Sequence, residues 1–387
     1  MVLRLNRDNI SDYLVNHQLL ELPQQKINKI EPVTAKNFNL LLTLTDGSKL
    51  LVKQERHSHK GETAGEFLRE WRIQELLQRF SQLNHLRSFL PELMHFDEDN
   101  SIIVFRYLDN YCDVMDFYQK EDNFHPKIST AIGNLIGIIH RDTFQGQEYQ
   151  DLFLQNPEDN AESMVKKIIH NVERISPEIF SSIPADGLKF YSLYQKFESL
   201  GEALTSLGDA FRPCCITHND LKINNILLNK NWQESTNNIV RLIDWERSSW
   251  GDPAYDLGTL ISSYVIIWLN SLVISKSLSI EESLRLAITP LEDIQPSIAS
   301  LTKAYFQTFP EILEQRQDFL PRVVQFVGFG LIQQIQAMIQ YQKTFSNTGI
   351  AMLQVAKTLL CRPEQSIPTI FGVTKEELIA FKIETPA

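Results

Sequence analysis

Asp220, Asn225 and Asp244 are oxygen-bearing side chains of the types that move a phosphoryl group. They fall within one short segment, CCITHNDLKINNILLNKNWQESTNNIVRLIDWE, Cys214 to Glu246. A carboxylate can accept a hydroxyl proton. A second carboxylate and an amide oxygen offer the hard donors that Mg²⁺ takes beside phosphates. Asp220 stands five positions before Asn225, so one acid and two oxygen donors make up the equipment for phosphoryl transfer from a nucleotide.

Such groups work only if the backbone brings them together. CCIT reads as an extended apolar run that ends at His218-Asn219-Asp220. Ile226 to Leu228 and Val240 to Asp244 read as two further short strands, and the link from Asn229 to Ile239 is polar and rich in Asn, as a loop is. Antiparallel pairing of the two strands sets Asn225, at the start of one, beside Asp244, at the end of the other. Cys214, Cys215 and His218 invite a zinc reading, but neighbouring residues of a strand face opposite sides, so both thiols do not reach one ion. His57 and His59 lack a third ligand at metal-site spacing, and KQERHSHK, Lys53 to Lys60, reads as a solvated loop.

Around this segment the chain changes character. Leu40 to Thr45 and Lys49 to Lys53 flank Asp46-Gly47, a hairpin signal because both turn residues tolerate positive φ. Glu62 to Phe80 has the apolar spacing of an amphipathic helix, and Ser101 to Leu108 suits a strand. Helical patterns follow at Ile128 to His140, between residues 160 and 210, at Glu281 to Leu286 and at Pro321 to Gln342. The stretch between Asp256 and Lys276 has no charged residue, but its Gly, Thr, Ser and Asn residues fit a buried core helix better than a membrane span. The expectation is an α+β chain with a small β-rich N-terminal lobe, residues 1–107, and a larger, mainly helical lobe, residues 108–387.

Composition narrows the function. The chain has 387 residues, 43% of them apolar, with 37 Lys and Arg against 48 Asp and Glu, a net charge of −11. That balance disfavours a general nucleic-acid or membrane-surface binder. Four cysteines are too few for a disulfide framework, and the N-terminus has no continuous apolar run of a secretory signal, so the expectation is a cytoplasmic protein.

HNDLKINNILL, His218 to Leu228, with LIDWE, Leu242 to Glu246, resembles the catalytic and metal-binding loops of protein-kinase-like phosphotransferases, His-x-Asp-x-x-x-x-Asn followed by a metal-binding Asp. The detail is similar to the aminoglycoside phosphotransferase and choline kinase group. Trp245-Glu246 stands where protein kinases carry Phe-Gly, no Ala-Pro-Glu follows, and WGDPAYDLGTL, Trp250 to Leu260, resembles that group's Gly-Asp-Pro-x-x-Asp-Leu segment. The resemblance implies a protein-kinase-like bilobal fold. It also implies a kinase that moves the γ-phosphate of ATP or GTP, with Mg²⁺, to a small-molecule hydroxyl.

By that resemblance Asp220 accepts or orients the proton of the acceptor hydroxyl, and Asn225 and Asp244 hold Mg²⁺. Lys53 contacts the donor phosphates, paired with a helix glutamate. Glu66 and Glu70 share a face, and LREW, Leu68 to Trp71, favours Glu70. Phe105 to Leu108 form the hinge, where Arg106, Tyr107 and Leu108 hold the purine. Lys222 resembles instead the catalytic-loop lysine of Ser/Thr kinases, which contacts the transferred phosphate and which the small-molecule families do not usually need. His218 orients its loop. Asp256 reads either as a helix N-cap or as a brace beneath the catalytic loop. The family's Gly-rich phosphate loop is absent, since EPVTAKNFN, Glu31 to Asn39, has no glycine. The acidic balance suits a cationic acceptor. Choline, ethanolamine, aminoglycoside and sugar acceptors stay open, as does a nucleotide-binding pseudokinase scaffold. The oligomeric state is not readable.

Overall fold

The Asp46-Gly47 turn closes as its residue types require. Gly47 has φ +85°, and its N–H reaches the Leu44 carbonyl at 3.0 Å. The computed structural model of the protein describes residues 3–20, 26–58, 61–121, 123–154, 161–173, 183–235, 238–275 and 277–380. The turn joins β2 (Phe38–Leu44) to β3 (Lys49–Gln54) in an antiparallel sheet that also contains β1 (Ile27–Val33), β4 (Leu93–Asp97) and β5 (Ile102–Arg106), in the order β1-β2-β3-β5-β4.

Side chains alternate across this sheet. Leu40, Leu42, Leu44, Leu50, Val52, Ile102 and Val104 pack with Ile10, Tyr13 and Leu14 of helix α1 (Ile10–Asn16). Leu51, Ile103 and Phe105 face the other way and meet Phe67 of helix α2 (Glu66–Arg79). Lys53 shares the parity of Leu51 and stands opposite Ile103, so its side chain is directed to the α2 face.

Helix α2 starts four residues later than its apolar spacing suggests. Gly65 sits at φ +70°, and Glu55 rather than an N-cap side chain receives the first helical N–H groups, Glu66 at 2.9 Å and Phe67 at 3.2 Å. Glu55 is buried and also accepts from Ser101 Oγ, while neighbouring Gln54 binds the Leu5 N–H. The start of KQERHSHK is therefore a buried polar junction and not a solvated loop, and His59 lies outside the described residues. Helix α1, strands β1 and β4, and the 3₁₀ segment Ser81–Phe89 add to the elements that the sequence pattern indicates. Residues Glu31–Val33 of EPVTAKNFN belong to β1.

The expected hairpin forms between β8 (Ile226–Asn229) and β9 (Val240–Leu242), with Ile226 opposite Leu242, and β6 (Tyr111–Asp113) pairs with β8 on its other side. The chain divides into two compact units. One runs up to Val114 and includes Asn225–Ser248; the other comprises Met115–Asn224 and the residues from Ser249 on.

The second unit is mainly helical. Its only pair of strands among the described residues is β7 (Cys215–Thr217) with β10 (Ser249–Gly251). The uncharged stretch is a buried core helix, Pro253–Ser271, begun by Asp252, whose Oδ1 accepts the Ala254 N–H at 2.9 Å, and by Pro253 in the first turn. No described helix is long and apolar enough to cross a membrane. Helices Pro126–Thr143 and Leu291–Thr308 touch at Gly133, where a Cβ would lie 2.1 Å from the Leu301 carbonyl oxygen, so only glycine allows that approach. A small antiparallel sheet followed by a mostly helical remainder bears out the α+β class.

Candidate functional site

In the first unit the charged side chains gather around Lys53. Its Nζ lies 2.7 Å from Asp244 Oδ1 and 3.9 Å from Glu70 Oε2. Glu66, the other helix glutamate, turns to Lys36 and Asn37. The choice between the two glutamates follows from helix geometry, since α2 presents Glu70 and not Glu66 to the end of β3. Burial pushes the Lys53 ammonium down, but Glu70, Asp244 and Glu246 more than offset it and hold the amine charged. Burial raises the Glu70 carboxyl to about 7, against the pull of Lys53. Glu246 is also raised, first by burial and then by Glu66 and Asp244.

The hairpin sets the two expected oxygen donors. The Ile243 N–H donates to the Asn225 carbonyl at 3.0 Å, which ties the residue before Asp244 to Asn225 at the open end of β8 and β9. Asp244 takes φ +61°, a left-handed conformation that costs free energy for a residue with a Cβ. The segment after it holds that shape through α2. The Trp245 N–H donates to Glu70, Arg69 Nε donates to the Glu246 carbonyl at 2.9 Å, and Ser248 Oγ donates to the Arg69 carbonyl at 3.3 Å. Asn225 is buried, whereas the Asp244 side chain is 40% exposed. An amide oxygen and an accessible carboxylate on one hairpin end fit the donor chemistry of Mg²⁺.

In the second unit the segment His218–Lys222 is held by its backbone. Asp256 Oδ2 accepts the His218 N–H at 2.6 Å and Oδ1 accepts the Asn219 N–H at 2.8 Å. Asn219 stands at φ +59°, with its amide locked between Thr217 Oγ1 and Ser249 Oγ, each at 2.9 Å. The His218 ring accepts the Asp220 N–H at 3.3 Å. Asp220 itself is half-buried, and its carboxylate meets Lys222 at 3.0 Å. Asp256 therefore braces this loop, and the N-cap reading is corrected, because Asp252 caps that helix.

Beneath Asp256 lies His140, with Nε2 at 3.3 Å from Asp256 Oδ2 and Nδ1 at 3.0 Å from the Tyr305 hydroxyl. A carboxylate cannot donate, so Nε2 carries the proton of that hydrogen bond. His140 escaped the sequence reading because it closes an ordinary amphipathic helix with no local motif. Glu55 escaped it because its polar neighbours suggest solvent.

At the hinge, the N–H groups of Arg106 and Tyr107 donate to the Glu92 and Lys49 carbonyls, each at 2.9 Å. The Arg106 side chain pairs outward with Glu92 at 2.7 Å, and the Leu108 carbonyl accepts from Tyr111. Cys214 and Cys215 belong to no metal-ligating cluster among the described residues.

Residues 111–278 match the model of the choline/ethanolamine kinase family. Comparison with curated proteins finds no match. Among solved structures the chain is similar to choline kinase LicA of Streptococcus pneumoniae, at 18% identity over 91% of this chain and 98% of that one, with a TM-score of 0.44. ADP-bound aminoglycoside phosphotransferase APH(2'')-Ib gives 15% identity over 92% and 99%, with a TM-score of 0.48. Macrolide 2'-phosphotransferase MphH of Brachybacterium faecium gives 14% identity over 92% and 99%, with a TM-score of 0.44. The family match spans Asp220, Asn225, Asp244 and the Gly251-Asp252-Pro253 segment, and it bears out the resemblance read from those residues.

Proposed function

We propose that the protein is a small-molecule kinase of the choline/ethanolamine kinase kind, which transfers the γ-phosphate of ATP or GTP to a hydroxyl group. One observation carries this reading: the segment that matches the family, residues 111–278, contains the whole His218–Asp220–Asn225–Asp244 constellation with no position substituted.

The assignment gives each residue a task. Asp220 accepts or orients the proton of the acceptor hydroxyl, held in place by the Asp256-braced backbone. Lys53, kept charged by its acidic neighbours and positioned by Glu70, contacts the donor phosphates. Lys222, beside Asp220, contacts the phosphate in transit. The backbone at Arg106, Tyr107 and Leu108 holds the purine, with Leu108 the favoured position because the other two amides are committed to carbonyls. Asn225 and Asp244 would hold Mg²⁺, which supplies charge neutralisation to the phosphates when bound. Positioning and electrostatics do most of the work in such transfers, because the transition state is loose. Four cysteines are too few for a disulfide framework, which supports a reducing, cytoplasmic setting.

The family match favours an amino alcohol over an aminoglycoside or sugar acceptor, and the net charge of −11 suits a cation. Thermal melting of the purified protein with ATP, GTP and Mg²⁺, with and without choline, ethanolamine, aminoglycosides and sugars, tests the reading. A Mg²⁺-dependent nucleotide shift that grows with an amino alcohol is expected, because ligands raise the melting temperature by mass action. No shift at millimolar nucleotide would leave the chain a scaffold without the proposed activity.

A further inference from the structure

Away from the residues assigned to phosphoryl transfer, the end of α1 and the edge strand β4 bring two imidazoles and a carboxylate together. One ligand atom from each of His17, His95 and Asp97 lies within 4.8 Å of the other two. The His17 and His95 rings are 4.5 Å apart between centroids, and the Tyr13 ring packs tilted against His17 at 4.4 Å. Asp97 is held in orientation on both oxygens. The Tyr13 hydroxyl donates to Oδ2 at 3.1 Å, the Asn100 N–H to Oδ1 at 3.0 Å, and the Asn100 amide to both. His95 Nε2 is buried and has no hydrogen-bond partner among the described residues.

We propose that His17, His95 and Asp97 form a site for a divalent transition-metal ion of the Zn²⁺ type, which ties the C-terminal end of α1 to β4. The donor set sets the class of ion. Two imidazole nitrogens with one carboxylate suit Zn²⁺ and its neighbours, whereas Mg²⁺ and Ca²⁺ take oxygen donors. Zn²⁺ binds nitrogen at about 2.0–2.1 Å, so tetrahedral ligand atoms stand roughly 3.4 Å apart. Rotation of the exposed His17 side chain closes the remaining gap. The hydrogen bonds of Tyr13 and Asn100 to Asp97 are the outer-shell contacts that orient a metal-ligating carboxylate. Three protein ligands leave a fourth position for water.

The ion would act on the sheet's α1 face, opposite the face that carries Lys53, so its expected effect is on the stability of the first unit and not on transfer. A buried imidazole nitrogen without a partner is unfavourable, and a coordinated cation at the cluster would make the imidazole pair useful.

The test uses the full-length protein after chelator treatment, in buffer that contains Mg²⁺, titrated with ZnCl₂ and separately with CoCl₂. Wild type should bind one equivalent of Zn²⁺ and melt a few degrees higher. Co²⁺ should give the visible absorption of a tetrahedral site without a thiolate charge-transfer band. His17→Gln, at an exposed position where folding is not in question, and His95→Gln should each weaken Zn²⁺ by about tenfold or more. Asp220→Ala should leave the Zn²⁺ titration untouched, which separates failure of this site from failure of the kinase reading. Absence of a Zn²⁺ shift in wild type, equal affinity in the histidine variants, or a thiolate band would each overturn the site.

Discussion

The ion pairs around Lys53 are made side chain to side chain, whereas the loop that bears Asp220 is held by its backbone. In the first unit Lys53 touches Asp244 and Glu70; both carboxylates raise the Lys53 ammonium, and Lys53 in turn pulls the Glu70 carboxyl down against its burial. In the second unit the buried Asp256 accepts two backbone N–H groups and leaves Asp220 half-buried on the surface of the loop. The difference teaches where a substitution will register. Loss of a charge in the first arrangement changes binding and titration. Loss of the brace in the second changes folding, because two buried N–H groups are left without acceptors.

The largest effect belongs to Asp220, whose side chain the brace leaves partly exposed. Asp220→Ala should lower turnover by about 10²–10⁴-fold with nucleotide affinity unchanged, measured by product formation and by nucleotide titration. Asp256→Ala should destabilise the fold by about 2–5 kcal/mol in denaturant melts, since His218 and Asn219 N–H groups are each orphaned. A stable Asp256→Ala protein with lost activity would erase the contrast between the two regions. Lys53→Ala should weaken nucleotide binding and lower turnover by about 10²-fold while the protein still folds.

How much of this was legible differs between the same two regions. The β8–β9 hairpin, the Lys53 strand and the Glu70 face of α2 could be read because each rests on local spacing: period two in a strand, period 3.6 in a helix, and a fixed motif. The brace could only be guessed at. Asp256 contacts residues 37 and 38 positions earlier, and His140 contacts it from 116 positions away. No periodicity spans such distances, so the N-cap and the brace looked alike in sequence. Glu55, which caps α2 from 11 residues upstream, was hidden for the same reason, and its polar neighbours suggested water. The metal-ligating type of cluster at His17, His95 and Asp97 is likewise assembled by the packing of the end of α1 on β4, about 80 positions apart in the chain.

Two smaller effects sharpen the picture of the first unit. Glu70 has its carboxyl raised from 4.5 to about 7, so the folded state holds its proton more tightly than the unfolded chain. Its contribution to stability is then present below pH 4.5 and is lost as the pH rises through about 7. In metal-free buffer, the stability of wild type relative to Glu70→Gln should fall across that window, as followed by melting temperature. A difference that rises with pH would contradict the placement of Glu70 in a buried acidic cluster. Glu66→Gln should matter least, at about 0–1 kcal/mol in a melt, because its partner Lys36 is exposed. A turnover loss in Glu66→Gln as large as that in Lys53→Ala would transfer the pairing role to Glu66.

Phosphorus NMR of ATP, Mg²⁺ and a choline or ethanolamine acceptor, with wild type and Asp220→Asn run side by side, tests phosphoryl transfer directly. Growth of a phosphomonoester signal with wild type alone is the expected result. Hydrolysis of ATP to free phosphate with no ester on any hydroxylated amine, aminoglycoside or sugar, or equal ester formation by Asp220→Asn, would contradict it.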